Sequence, residues 1–171
     1  MKKIFAIVLA LVFIGGVVGS VLAVTPKVSP TATPTPVPEK VDYFLVYPGI
    51  LPDHFLYPIK MIRDRIWLSL TTDPLKKAEV LLLFADKRLG AAKALIEGNK
   101  QEKGMSTLTK AEKYLEQAIN QEKIAAEKSK DTVAFKEKLV KAQLKHREIL
   151  LELMGKVDNS GKAVIEGLIK N

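Results

Sequence analysis

The chain has 171 residues, 47 % of them hydrophobic, and a net charge of +8, which is material for one domain with additional segments. It contains no cysteine, and this excludes a disulfide framework, a thiolate zinc site, a cysteine nucleophile and a lipid-modified cysteine anchor. Two histidines leave almost nothing for a histidine-based metal centre, and cations that are nearly all lysine point to solvated helix faces rather than phosphate recognition.

Lys2 and Lys3 precede an apolar run over residues 4–24, interrupted only by Gly15, Gly16, Gly19 and Ser20. Val21-Leu22-Ala23 presents the small residues that a signal peptidase reads, so cleavage after Ala23 is the first expectation. The run is also long enough to span ~30 Å of hydrocarbon, and an uncleaved membrane anchor is the second. Both readings leave the lysines in the cytoplasm and everything after residue 24 outside it. Residues 25–40 hold five prolines, Pro26, Pro30, Pro34, Pro36 and Pro38, among Thr, Val and Ala. Such a stretch forms an extended spacer, roughly 50 Å long at ~3.1 Å per residue. A proline-rich ligand for another domain is the alternative.

A helical domain is expected over residues 41–171. It opens on an aromatic window holding Tyr43, Phe44, Tyr47, Phe55, Tyr57 and Trp67, in which Pro48, Pro52 and Pro58 forbid a continuous helix. Pro58 suits the first turn of a first, short helix. There Ile59, Ile62, Ile66 and Leu70 recur at helical spacing as one apolar stripe, expected to face inward. Arg63 and Trp67, four apart, are placed to stack.

Asp73-Pro74 is a strong helix start, with the aspartate as N-cap. The second helix runs to about Glu97 and stops at Gly98-Asn99. Its core stripe is Leu75, Ala78, Leu82, Ala85, Leu89, Ala92 and Ile96, widened by Leu81, Leu83, Phe84 and Leu95 to face more than one neighbour. Asn99 with Glu102 resembles a capping box for a third helix. That helix carries Met105, Leu108, Ala111, Leu115, Ala118 and Ile119 inward, and Gly104 is expected to loosen its start. Asp131 caps a fourth helix with a seam of Phe135, Leu139, Ala142, His146, Ile149 and Leu153, ended by Gly155. Residues 158–161 read as a turn before a short closing helix. No segment beyond the spacer and the aromatic window alternates with period two, so no sheet is expected. The predicted fold is all-α: an up-down bundle of three long helices, each roughly 35–40 Å, with a short helix at either end.

The residues Gly49-Ile-Leu-Pro-Asp, Leu56-Tyr-Pro-Ile-Lys60, Arg63-x-Arg65, Thr72-Asp-Pro74-x-Lys-Lys-Ala78 and Phe84-Ala-Asp-Lys-Arg-Leu89 resemble the bacterial family called domain of unknown function 5667. The resemblance covers roughly residues 43–120. It implies a helical domain, exported or membrane-anchored, and supplies no activity. The chain departs from the family pattern at Asp64, where Glu is usual, at Lys87, where Arg is usual, and at Ala91, where an acid is common.

Four groups are candidate sites. Asp53, His54 and Tyr57 are types that do acid–base work, which makes an envelope hydrolase one reading. The plainer reading is a turn in which Asp53 bonds nearby backbone and His54 faces solvent. His146 lies on an apolar seam and reads as a hydrogen-bonded core residue rather than a metal ligand. The six aromatics either line a groove for a partner or plug the bundle end, and the plug is favoured. Lys60, Arg63, Arg65, Lys76, Lys77, Lys87 and Arg88 either gather into a basic face for anionic lipid or envelope polymer or are simply solvated. Nucleic acid is not an expected partner, since no reading motif is visible. The resulting expectation is an exported, non-enzymatic interaction module without cofactor or metal. Its partner would be another envelope protein or an anionic envelope surface.

Overall fold

The computed structural model describes residues 41–170; the apolar run, the proline-rich spacer and Asn171 lie outside the described residues. Five helices and no strand occur among them: α1 (Tyr57–Leu70), α2 (Pro74–Glu97), α3 (Gln101–Glu127), α4 (Val133–Met154) and α5 (Asn159–Lys170). The expected all-α bundle of three long helices with a short helix at each end is the fold.

Local chemistry explains each boundary. Asp73 caps α2 by accepting from the Leu75 and Lys76 amides at 3.0 and 3.1 Å, and Pro74 fills the first helical position. At the other end Asn99, not Gly98, takes the left-handed conformation, with φ of +59°. The Lys100 amide then reaches back to Leu95 and the Asn99 amide to Ile96, a double closure that satisfies carbonyls left over at the helix end. Asn99 therefore stops α2 and does not cap α3, whose N-cap position is Lys100 without a side-chain bond. Ser129, at φ +57°, closes α3 in the same way. Asp131 accepts from the Val133 amide at 3.2 Å to start α4, because the Thr132 hydroxyl is turned to the buried Glu122 carboxylate. Residues 158–161 are not a separate turn. Residues 159–161 begin α5, and Asp158 just before it accepts from the Gly161 amide at 2.7 Å.

The helices α2 and α3 form the most extensive packing in the domain. Gly104 is the reason they approach closely. A β-carbon there would stand 2.5 Å from Ile96 Cγ1 and 3.2 Å from the Ala92 carbonyl oxygen. The glycine thus secures a helix crossing, where loosening was expected. Gly104→Ala should destabilise the protein by about 1–3 kcal/mol through overpacking, more than the ~1 kcal/mol of helix propensity it gains; chemical denaturation measures the balance.

The apolar core has two parts. One joins Leu89, Ala92 and Ile96 of α2 to Leu108 and Ala111 of α3, to Ile149, Leu150 and Leu153 of α4, and to Ile165 of α5. The other joins Ala78, Leu81, Leu82 and Ala85 to Leu115 and Ala118, and to Phe135, Leu139 and Ala142. The stripes expected of α2, α3 and α4 are these core faces.

The stripe expected of α1 is not. Ile59, Ile62, Ile66 and Leu70 are 64, 60, 53 and 76 % exposed. The face of α1 that turns to the bundle carries Tyr57, Met61, Asp64 and Leu68, and of these only Asp64 is fully buried. The helix has two apolar arcs on opposite sides, and an ion pair to α2 decides which one is covered.

Candidate functional site

Two clusters stand out, one inside the bundle and one on its surface. The inner cluster is a chain of side chains in which the Tyr43 hydroxyl donates to Asp86 Oδ2 at 2.7 Å. Asp86 Oδ1 meets His146 Nε2 at 3.2 Å, and His146 Nδ1 meets Glu112 Oε1 at 2.9 Å. Asp86 and His146 are buried, and Glu112 reaches the boundary. Burial alone would lower the His146 pKa, but the bonds to Asp86 and Glu112 outweigh it and hold the pKa above the ordinary histidine value. In its protonated form the ring donates from both nitrogens, to Asp86 and to Glu112. Burial and then Asp86 push the Tyr43 hydroxyl pKa well up.

These residues fall between the two apolar cores on all three long helices: Asp86 between Ala85 and Leu89, Glu112 between Ala111 and Leu115, His146 between Ala142 and Ile149. The layer is a polar seam across the bundle. Each of its donors has an acceptor, and the bonds tie α2, α3 and α4 to one another. His146 was legible as a core histidine. Asp86 and Glu112 were missed, although an acid one residue from Ala85 in the α2 stripe was the available signal.

Arg88, expected on a basic face, is buried instead. Its guanidinium lies over the Tyr114 ring at 4.2 Å and 3.9 Å from Asp64. It also donates to Met61 Sδ at 3.2 Å. Its Nε has no partner. Arg63 does not stack on Trp67; it donates twice to Asp64 Oδ1, at 3.1 and 2.7 Å. Trp67 packs edge-on against Phe84. Lys60 donates to the carbonyls of Pro48 and Ile50, which fastens the loop before α1 to the helix.

Asp53, His54 and Tyr57 are neighbours in sequence, and Asp53 and His54 bond elsewhere than to one another. Asp53 pairs with Lys100 of the α2–α3 loop, and that partner first, then a backbone hydrogen bond of the kind expected in a turn, lowers its pKa. His54 is exposed and accepts the Leu56 amide through Nδ1. Tyr57 is half-buried on the inner face of α1. Among the described residues no three histidine, aspartate or glutamate side chains are placed to share a metal ion.

The outer cluster is the surface of α1 with the loop before it. Phe44, Tyr47 and Phe55 are largely exposed, as are the four α1 residues named above. The aromatic window does not plug the bundle: of its six rings Tyr43 and Tyr57 turn partly inward, and Trp67 stays 44 % exposed. A groove of about 500 Å³ runs between the loop and α1, lined on the apolar side by Tyr47, Ile50, Leu56 and Ile59 and on the polar side by Lys60, Arg63 and Lys87. No acid lines it.

Among the described residues no helix is long and apolar enough to cross a membrane. No curated protein and no solved structure matches the chain. The family model described as domain of unknown function (DUF5667) matches residues 49–160, starting at the loop glycine and ending in the first turn of α5. The match extends past the stretch of residues 43–120 that resembles the family and takes in the rest of α3 and all of α4, so the chain belongs to the DUF5667 family.

Proposed function

We propose that the protein is a non-enzymatic, extracytoplasmic interaction module, carried on a proline-rich spacer, that makes its contact through the outer face of α1 and the loop before it. The observation that carries this reading is the exposed stripe Ile59, Ile62, Ile66 and Leu70. It lies on a regular helix whose other side is held by the Asp64 ion pair. Scattered exposed apolar residues are ordinary, but a contiguous apolar face with aromatics at its margin marks a contact surface. The bundle behind it is a rigid support built from two apolar cores and a satisfied polar seam. The apolar run at residues 4–24 supports export or anchoring, and the spacer supports reach.

Radical footprinting of the full chain tests the reading, once in its native envelope and once purified. Phe55, Ile62 and Trp67 should be modified less in the envelope, while Val133 and Val140 on α4 should not change. Equal modification of both sets in both preparations overturns it. Ile62→Glu/Ile66→Glu should remove the protection yet leave the unfolding free energy within about 0.5 kcal/mol of the parent, as for other solvent-facing positions.

A further inference from the structure

We infer that the outer face of α1 docks on an anionic lipid bilayer, lying in its interface as an amphipathic helix. This rests on the reading of that face as the contact surface, and it names the partner. Three observations carry it.

The first is the arrangement of charge. At 100° per residue the exposed Ile59, Ile62, Ile66 and Leu70 occupy an arc of about 80°. Arg63 borders one edge and Arg65 the other. Among residues 55–70 the sole acid is Asp64, and it is buried. An apolar stripe between two arginines, with no exposed acid on the helix, is built for the headgroup boundary: the stripe enters the acyl region and the guanidinium groups stay among phosphates.

The second is the groove beside the stripe. Lys60, Arg63 and Lys87 line it without an acid. Lys60 directs two of its three N–H bonds to Pro48 and Ile50 carbonyls, which leaves one, with the exposed Arg63 side, for an anionic headgroup. A protein partner would need acids matching these cations and a second apolar surface; a bilayer of anionic lipid supplies both together.

The third is Trp67, the chain's single tryptophan. It is half-exposed at the rim of the stripe, its inner edge against Phe84. Amphipathic rings of this kind settle at the water–lipid boundary. Tyr47, exposed, lines the groove together with Ile59 of the stripe.

Trp67 also supplies the test, because its emission reports this face whatever residues 4–24 do in the same vesicle. The full chain is reconstituted into phosphatidylglycerol/phosphatidylcholine vesicles and into phosphatidylcholine vesicles, each with and without brominated acyl chains. Bromine should quench Trp67, more strongly in the anionic vesicles. Ile62→Glu/Ile66→Glu should abolish the quenching. Arg65→Gln and Lys87→Gln should each shift the docked-to-undocked ratio by about fivefold in the anionic vesicles only. Emission that ignores bromine in both vesicles overturns the inference. If the emission instead shifts to the blue with protein concentration in lipid-free solution, and sedimentation shows a dimer, the face docks a second copy. The lipid inference then falls while the contact-surface reading stands. If Ile62→Glu/Ile66→Glu changes nothing in any arm, both fall.

Discussion

Asp86→Ala should destabilise the protein by about 3–5 kcal/mol, the effect of removing one member of a buried charged pair. The substitution leaves the His146 imidazolium with Glu112 alone and strips the Tyr43 hydroxyl of its acceptor. Urea denaturation of the full chain measures it, and a loss below about 1 kcal/mol would mean that the seam is not a charged network. Asp86→Leu/His146→Leu should cost less than the sum of the two single changes, since an apolar replacement of both partners strands no charge. The same seam sets a pH dependence. The folded-state pKa of His146 is raised, so the folded protein keeps a proton that the unfolded chain gives up near pH ~6.5. The stabilisation is therefore complete below that value and is lost as pH rises through the higher folded pKa. Denaturation at pH values rising from the ordinary histidine pKa of 6.5 should show stability falling, and His146→Gln should flatten that slope. Tyr43 contributes only at higher pH, because its shift starts from the ordinary tyrosine value of 10.0.

The second large effect is at Asp64. Asp64→Ala should also destabilise by about 3–5 kcal/mol, because it leaves the Arg88 guanidinium buried without its carboxylate. Arg88→Met should be milder. It removes the buried cation itself and leaves Asp64 with Arg63, whose side chain is largely solvated. Without the pair, α1 has few buried contacts to hold it, so amide exchange in α1 should accelerate before exchange in α2 or α3 does. The ordering of the two variants is the decisive readout: Arg88→Met costing more than Asp64→Ala would show that the arginine acts through packing on Tyr114 rather than through its charge.

The long helices were legible because their signals are local. Asp73-Pro74 and Gly155 mark ends, and the stripes from Leu75 to Ile96 and from Phe135 to Leu153 have one apolar arc each, which must face inward. The helix α1 has two arcs, and periodicity alone gives no way to choose between them. The choice is made by Arg88, 24 residues beyond Asp64, through an ion pair that no local pattern contains. The polar seam was half-legible for the same reason: His146 is conspicuous among apolar neighbours, whereas Asp86 and Glu112 look like surface acids until three helices are brought together. Counting aromatics also misled, since ring size favours burial only where a cavity exists to receive the ring, and Phe44, Tyr47 and Phe55 precede a helix whose near side is already filled. Asn99 reads both as part of the stop of α2 and as a cap for α3, because a short polar residue suits either role; the backbone of α2 claims it.

The first described residues are sewn to distant parts of the bundle. The Val41 amide donates to Glu148 of α4 at 3.0 Å, and Tyr43 reaches Asp86 of α2. Tension arriving along the upstream chain would accordingly meet these two bonds, one to α4 and one to α2, before it reached α1.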